Sequence, residues 1–160
     1  MRQISAIKLV DSLRGSTLRY RTGILLLPVP WLGREREVAA RLGIAFQDER
    51  ERVLRQMAPG QRFLGIGWQD VIAQHLEDLV RNGRPEGDCI LIANLDLLVC
   101  SFSTEDRSHF WRNLREIVRP TWGLLLALPI ETRRILTEEE RLRWTSAGRV
   151  AIWTKGGQGL

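Results

Sequence analysis

The sequence predicts an α/β protein built on a three-layer, doubly wound and mostly parallel five-stranded sheet. Short apolar runs of strand length, at 23–27, 89–93 and 122–128, alternate with longer segments in which apolar residues recur at helical spacing. The run at 122–128 is apolar at nearly every position, as expected for a strand that is covered on both faces of a parallel sheet. This alternation predicts helices on both faces of the sheet.

Glycine and proline mark the ends of the elements predicted in the first half of the chain. Gly15 and Gly43 follow helical patterns, and Pro59 with Gly60 stops a third one. The predicted elements are a helix over 2–13, a strand over 23–27, a helix that carries Val38 and Leu42, a strand over 44–46, and helices over 47–57 and 64–81.

Capping residues mark the helices predicted in the second half. Ser103 is a predicted N-cap, and Thr137 with Glu140 has the spacing of a capping box. The predicted elements are strands over 89–93, 122–128 and 149–153, and helices over 103–118 and 138–144. Residues 1–154 are therefore expected to form one domain, and the glycine-rich residues 155–160 a flexible tail.

Composition narrows the compartment and the partners. Cys89 and Cys100 show no CxxC spacing, which favours reduced, buried thiols in a cytoplasmic protein. No apolar run approaches 18 residues and no signal peptide is recognised, so no membrane association is expected. The net charge of +5 permits affinity for nucleic acid, although surface pairs with Asp and Glu would also account for many arginines.

The central segment, 23–43, reads as a strand, a Pro/Gly loop and a helix. The same three pieces form the P-loop, GxxxxGK(S/T), whose backbone N–H groups hold phosphates while Lys and Ser/Thr handle charge and magnesium. Laid over that pattern, the loop at 28–35 reads PVPWLGRE and keeps its length and the second glycine, Gly33. The segment is therefore interpreted as a degenerate nucleotide loop.

Each departure from the pattern weakens phosphate binding. Pro28 and Pro30 have no N–H to donate, and Trp31 adds bulk where a phosphate needs close backbone approach. Arg34 presents a planar fork in place of the compact lysine charge. Glu35 puts a carboxylate where a hydroxyl belongs, which would repel a phosphate by about 1 to 4 kcal/mol at ~4 Å.

The strand over 89–93 is the second diagnostic element. In P-loop NTPases the strand neighbouring the P-loop ends in an Asp that holds magnesium, often followed by a Glu that activates water. Here Ala93 and Asn94 stand at those two positions. Asp96 is either a displaced metal ligand or, as is more usual after a strand, a helix cap or turn residue.

Together these segments resemble the additional-strand class of P-loop ATPases and, more narrowly, the BrxF family of small P-loop proteins from BREX phage-defence systems. The resembling stretches lie between residues 23 and 129 and read VAARLGIAF, ERVLRQM, CILIANLDLLV, HFWRNLREIVR and LLLALP. The resemblance implies a P-loop NTPase-like fold and a cytoplasmic accessory subunit of an antiviral system that works on DNA. Asn94 to Leu98 match the family's D-N-(I/L)-(D/E)-L-L sequence, in which Ala93 replaces the acid.

Two functions follow from the altered loop. The favoured one is a non-catalytic pseudo-ATPase that needs no cofactor and assembles with other defence proteins or with itself. The other is a weak nucleotide-binding enzyme, with Arg34 on the phosphates of ATP and Glu35 or Asp96 on Mg²⁺. Trp31 is a candidate to plug the vacated site or to dock on a partner.

A third hypothesis is a subunit that binds double-stranded DNA. The candidate contact residues are Arg14, Arg19, Arg21, Arg133 and Arg134. The last two follow a strand at the sheet end where α/β proteins bind ligands, and they could instead act as arginine fingers in a neighbouring subunit. Exposed arginines in solvated loops are the plain alternative.

Overall fold

A computed structural model describes residues 4–15, 21–56, 59–60, 67–70, 89–117, 120 and 122–155. The elements are α1 (Ala6–Arg14), β1 (Thr22–Leu27), a 3-10 turn (Val29–Trp31), α2 (Glu35–Leu42), β2 (Ala45–Asp48), α3 (Glu49–Gln56), a helical turn (Trp68–Asp70), β3 (Cys89–Ala93), α4 (Leu95–Val99), α5 (Thr104–Glu116), β4 (Gly123–Pro129), α6 (Glu138–Ser146) and β5 (Val150–Ile152). Most of the helix predicted over 64–81, Arg19 and all but the first residue of the predicted tail lie outside this description.

The five strands form one sheet in the order β2-β3-β4-β1-β5, and every pairing is parallel. This confirms the α/β class and the five-stranded parallel sheet. The strand expected beside the loop strand is not its neighbour, because β4 lies between β1 and β3. The central position suits β4, whose first six residues are all buried, since a strand at the centre is covered on both faces.

Two hydrophobic clusters cover the two faces of the sheet. Along β1, Ile24 and Leu26 join one cluster while Leu25 and Leu27 join the other, as the two-residue period of a strand requires. Residues of α4, α5 and α6 complete the first cluster, and residues of α1 and α2 complete the second. The molecule therefore has the predicted three layers, with helices on both sides.

Side-chain caps begin several helices, as the sequence predicts. The hydroxyl of Ser103 accepts from the Asp106 N–H at 3.1 Å, and the hydroxyl of Thr137 accepts from the Glu140 N–H at 3.2 Å. The Glu140 carboxylate does not complete the capping box, because it accepts a hydrogen bond from Arg115 Nε at 2.7 Å instead. The helix α6 therefore has only the Thr137 half of the capping box, and Glu140 links α6 to α5 instead.

Two local expectations are wrong. The short helix α4 is absent from the prediction, because the apolar run of β3 continues into it without a glycine or proline. The chain turns there at Asn94, which adopts a left-handed conformation with φ 62°. Cys100 is exposed at the end of α4, whereas Cys89 is buried in β3, and neither cysteine forms a disulfide. Within the described ranges, no helix has the length and apolar character needed to cross a membrane.

Candidate functional site

The loop after β1 has the predicted strand, loop and helix geometry, but it is folded tightly on itself. Its first half is the 3-10 turn Val29–Trp31, and its second half turns at Gly33, where φ is +83°. That conformation favours glycine, because a Cβ at positive φ is strained. The backbone conformation at position 33 therefore accounts for the glycine there.

The N–H groups of residues 31–34 all donate hydrogen bonds within the loop or to the first turn of α2. The N–H groups of Trp31, Leu32 and Arg34 donate to the carbonyls of Pro28, Val29 and Trp31 at 2.9, 3.2 and 3.0 Å. The N–H of Gly33 donates to Glu35 Oε1 at 3.1 Å. Because prolines at 28 and 30 have no N–H, the loop from 30 to 34 keeps no free amide for an anion.

Glu35 supplies an internal anion. It lies in the first turn of α2, where a negative charge is favoured by the helix dipole, and its carboxylate binds a loop amide. A phosphate in a P-loop uses the same two features, an amide from the loop and a helix N-terminus. A bound phosphate would therefore have to displace this carboxylate as well as overcome its charge.

Arg34 is held away from such a role. Its guanidinium donates to Glu37 from both Nε and an Nη, at 2.9 and 2.8 Å from Oε2, and it stacks 4.1 Å from the centroid of the Trp31 ring. Arg41 reaches the same carboxylate at 2.9 Å. The hydrogen bond from Arg34 is the main cause that lowers the pKa of Glu37. Arg34 is therefore paired with the first turn of α2, and it shares the carboxylate of Glu37 with Arg41.

Trp31 anchors the loop to the core. Its side chain is 8% exposed, and its ring meets that of Trp153 edge-on, with centroids 5.5 Å apart. It joins the cluster that also contains Val38 of α2. This burial leaves little of the ring for docking on a partner, which is one of the two roles expected for Trp31.

Ala93 ends β3, and Asn94 begins the turn that follows it. Ala93 is fully buried, and Asn94 Nδ2 donates to Asp48 Oδ1 at 2.8 Å. The same oxygen of Asp48 accepts from the Arg50 N–H at 2.9 Å, at the start of α3. Asn94 therefore ties the ends of β2 and β3 together.

Asp96 lies in the first turn of α4, which fits the helix-turn role expected for it. Burial raises its pKa, and the negative charge of Glu35 contributes in the same direction. Both carboxylates lie on helices that begin at the carboxyl end of the sheet. Within the part of the chain that is described, no group of three His, Cys, Asp or Glu side chains could hold a metal ion.

The described candidate arginines for DNA contact fall into two pairs at opposite ends of the sheet. Arg14 donates to the Gly43 carbonyl at 2.7 Å, and Arg21 donates to the carbonyls of Leu13 and Arg14 at 2.6 and 3.1 Å, all at the amino end of the sheet. Arg21 thereby satisfies carbonyls at the end of α1. The other pair follows β4 at the opposite, carboxyl end, and both of its side chains are exposed.

Sequence reasoning missed the exposed apolar side chains at this carboxyl end. Val29 and Leu32 in the loop are 71% and 42% exposed, and Leu97 in α4 is 54% exposed. The composition PVPWLG contains the signal, because three apolar side chains in a tight surface loop cannot all be buried. Only Trp31 turns inward.

Compared with protein-family models, with curated proteins and with solved structures, the chain gives no significant match.

Proposed function

We propose that this chain is a non-catalytic pseudo-ATPase, an accessory subunit that acts by protein–protein assembly in a bacterial antiviral system of the BREX type. The observation that carries the proposal is the bond from the Gly33 amide to the Glu35 carboxylate. The Glu35 carboxylate occupies the amide that a nucleotide phosphate would use, and its negative charge opposes a phosphate at that position. The ion pair between Arg34 and Glu37 supports the same proposal.

The sheet order supports the P-loop part of the proposal. All five strands are parallel, and the loop follows β1 in the interior of the sheet, a layout consistent with P-loop-like proteins. The antiviral part rests on the resemblance of the stretches between residues 23 and 129 to the BrxF family. Cytoplasmic location belongs to the same proposal.

The exposed loop residues support assembly as the mode of action. Val29 and Leu32 stand at the sheet end where α/β proteins bind their ligands, and they offer apolar surface with no free loop amide between them. Apolar side chains in that position suit contact with a protein better than contact with a phosphate. The partner is another defence protein or a second copy of the chain.

Phage plating on cells that carry the chain with its native gene neighbourhood tests this proposal. Changing Val29 and Leu32 together to Asp should abolish protection, while Arg34→Ala should retain it. Ile7 and Ile117, 45% and 61% exposed, provide the matched control when both are changed to Asp. Protection that requires Arg34 but tolerates the loop pair would contradict the proposal, as would a wild-type chain that contributes nothing to protection.

The second candidate is a weak nucleotide-binding subunit. The placement of Glu35 and Asp96 on helices that begin at the carboxyl end of the sheet favours it, because carboxylate oxygens are ligands that Mg²⁺ accepts. Magnesium-dependent ATP hydrolysis by the purified chain, lost in Arg34→Ala and in Asp96→Asn, would establish this function in place of the first.

A further inference from the structure

A cavity of about 250 Å³ lies between α5, the turn that follows β4 and the start of α6. It shares no residue with the degenerate loop, so it is a separate feature of the molecule. Four arginines line it, namely Arg107, Arg133, Arg134 and Arg143. Three hydroxyl side chains line it as well, namely Thr104, Ser108 and Thr137.

The positive charge of this cavity is only partly compensated. Glu139 pairs with Arg143 at 2.6 Å, and the other glutamate of the cavity, Glu140, pairs with Arg115 at 2.7 Å. In the ranges that the structure covers, the guanidinium groups of Arg133 and Arg134 have neither a carboxylate nor a carbonyl partner. Arg133 and Arg134 therefore border the cavity without an ion pair to any described residue.

The third arginine of the cavity is also incompletely satisfied. Arg107 donates from Nη1 to the Arg134 carbonyl. Its Nε is enclosed and has no hydrogen-bond partner among the described residues. No ion pair to Arg107 occurs in those residues either. Its charge therefore adds to that of the two arginines on the turn.

The turn that carries Arg133 and Arg134 is rigidly held. It closes through a hydrogen bond from the Ile135 N–H to the Thr132 carbonyl at 2.8 Å. The buried Trp111 donates from Nε1 to the Ile135 carbonyl at 2.7 Å, and Arg107 donates to the Arg134 carbonyl. Because α5 fixes two consecutive carbonyls of the turn, its arginines project from a fixed backbone. Groups that are fixed before binding lose less freedom when a ligand arrives.

We infer that this cavity binds a phosphate group. The planar fork of arginine matches phosphate oxygens, and hydroxyls beside it can complete the set of donors. The volume is below the range of about 300 to 1,000 Å³ that encloses a drug-sized ligand, so it suits one phosphate ester group rather than a whole nucleotide. That group belongs either to a small phosphomonoester or to a DNA backbone. The inference does not depend on the function proposed above.

The test uses the full chain, with inorganic phosphate as one probe and a DNA duplex as the other. Calorimetry at constant ionic strength measures the binding of phosphate, and fluorescence anisotropy measures the binding of the DNA duplex. The cavity variant changes Arg133 and Arg134 to Ala, which retains the backbone carbonyl that Arg107 binds. The control variant changes Arg50 and Arg112 to Ala, which removes two exposed charges from outside the cavity.

We expect the cavity variant to weaken binding about tenfold, or ~1.4 kcal/mol, and the control to weaken it less than about twofold. If this pattern is seen with phosphate, the source is a small phosphomonoester. If it is seen with DNA alone, the source is a nucleic acid backbone. Equal losses in the two variants, unchanged binding in the cavity variant, or no binding of either probe to the wild-type chain would overturn the inference.

Discussion

Replacing Trp31 with alanine should destabilise the chain, although Trp31 belongs to a surface loop. The side chain is 8% exposed, and it packs on Trp153 with ring centroids 5.5 Å apart. Loss of a fully buried tryptophan costs about 3 to 5 kcal/mol. A loop next to solvent collapses more readily than a core, so we expect the lower end, ~3 kcal/mol. At about 2 to 4 °C for each kcal/mol, the thermal midpoint should fall by roughly 6 to 12 °C.

Val29 provides the matched control, because it lies in the same loop and is 71% exposed. Val29→Ala should stay within about 0.5 kcal/mol of the wild-type chain. Urea denaturation and a thermal melt measure the stability of both variants, and an unchanged m-value shows that the difference is one of stability. If Trp31→Ala also remained within about 0.5 kcal/mol, the loop would not be anchored, and the argument that it is a packed structural unit would fail.

Three further predictions concern stability. Burial and the Glu35 charge raise the pKa of Asp96 above its ordinary value of 3.8, so the folded chain holds that proton more tightly than the unfolded chain. Ionisation of Asp96 therefore lowers the stability of the folded chain as the pH rises through and above 3.8. Asp96→Asn should be more stable than the wild type between pH 4 and 7, as measured by urea titrations. A stability gain that grew on acidification would contradict this. Gly123→Ala should cost about 1 to 3 kcal/mol by thermal melting, because its Cβ would lie 2.8 Å from Leu13 Cβ and 3.0 Å from the Leu13 carbonyl oxygen, and a neutral result would show that α1 can move. Ser103→Ala should cost ~1 kcal/mol through its lost N-cap bond, and Ser103→Thr should retain most of it.

The sequence was sufficient for the class of the fold. The apolar runs at 23–27, 89–93 and 122–128 lie within one residue of β1, β3 and β4, because strands buried on both faces must be apolar throughout. It was not sufficient for the order of the strands. The strand that neighbours β1 is decided by which crossover packs best, and this is a tertiary property that the local pattern does not contain.

The candidate site shows the same division. The absence of N–H groups at Pro28 and Pro30 follows from residue type alone. The bond between Gly33 and Glu35 does not, because it depends on the left-handed conformation of Gly33. Charge reasoning likewise presented Arg21 as available to a polyanion, whereas the fold uses it on carbonyls at the end of α1. Sequence alone did not reveal which carbonyls would require a donor.

We propose that the loop after β1 does not hold a nucleotide, because the Glu35 carboxylate accepts from the Gly33 amide and Glu37 pairs with Arg34. The thermal midpoint of the purified chain, measured with and without millimolar Mg-ATP, tests it most directly. Ligand at about 100 times its dissociation constant adds ~2.7 kcal/mol, which for a chain of this size is a shift of roughly 5 to 11 °C. We expect no shift in the thermal midpoint. A shift of several degrees that disappears in Arg34→Ala would contradict it.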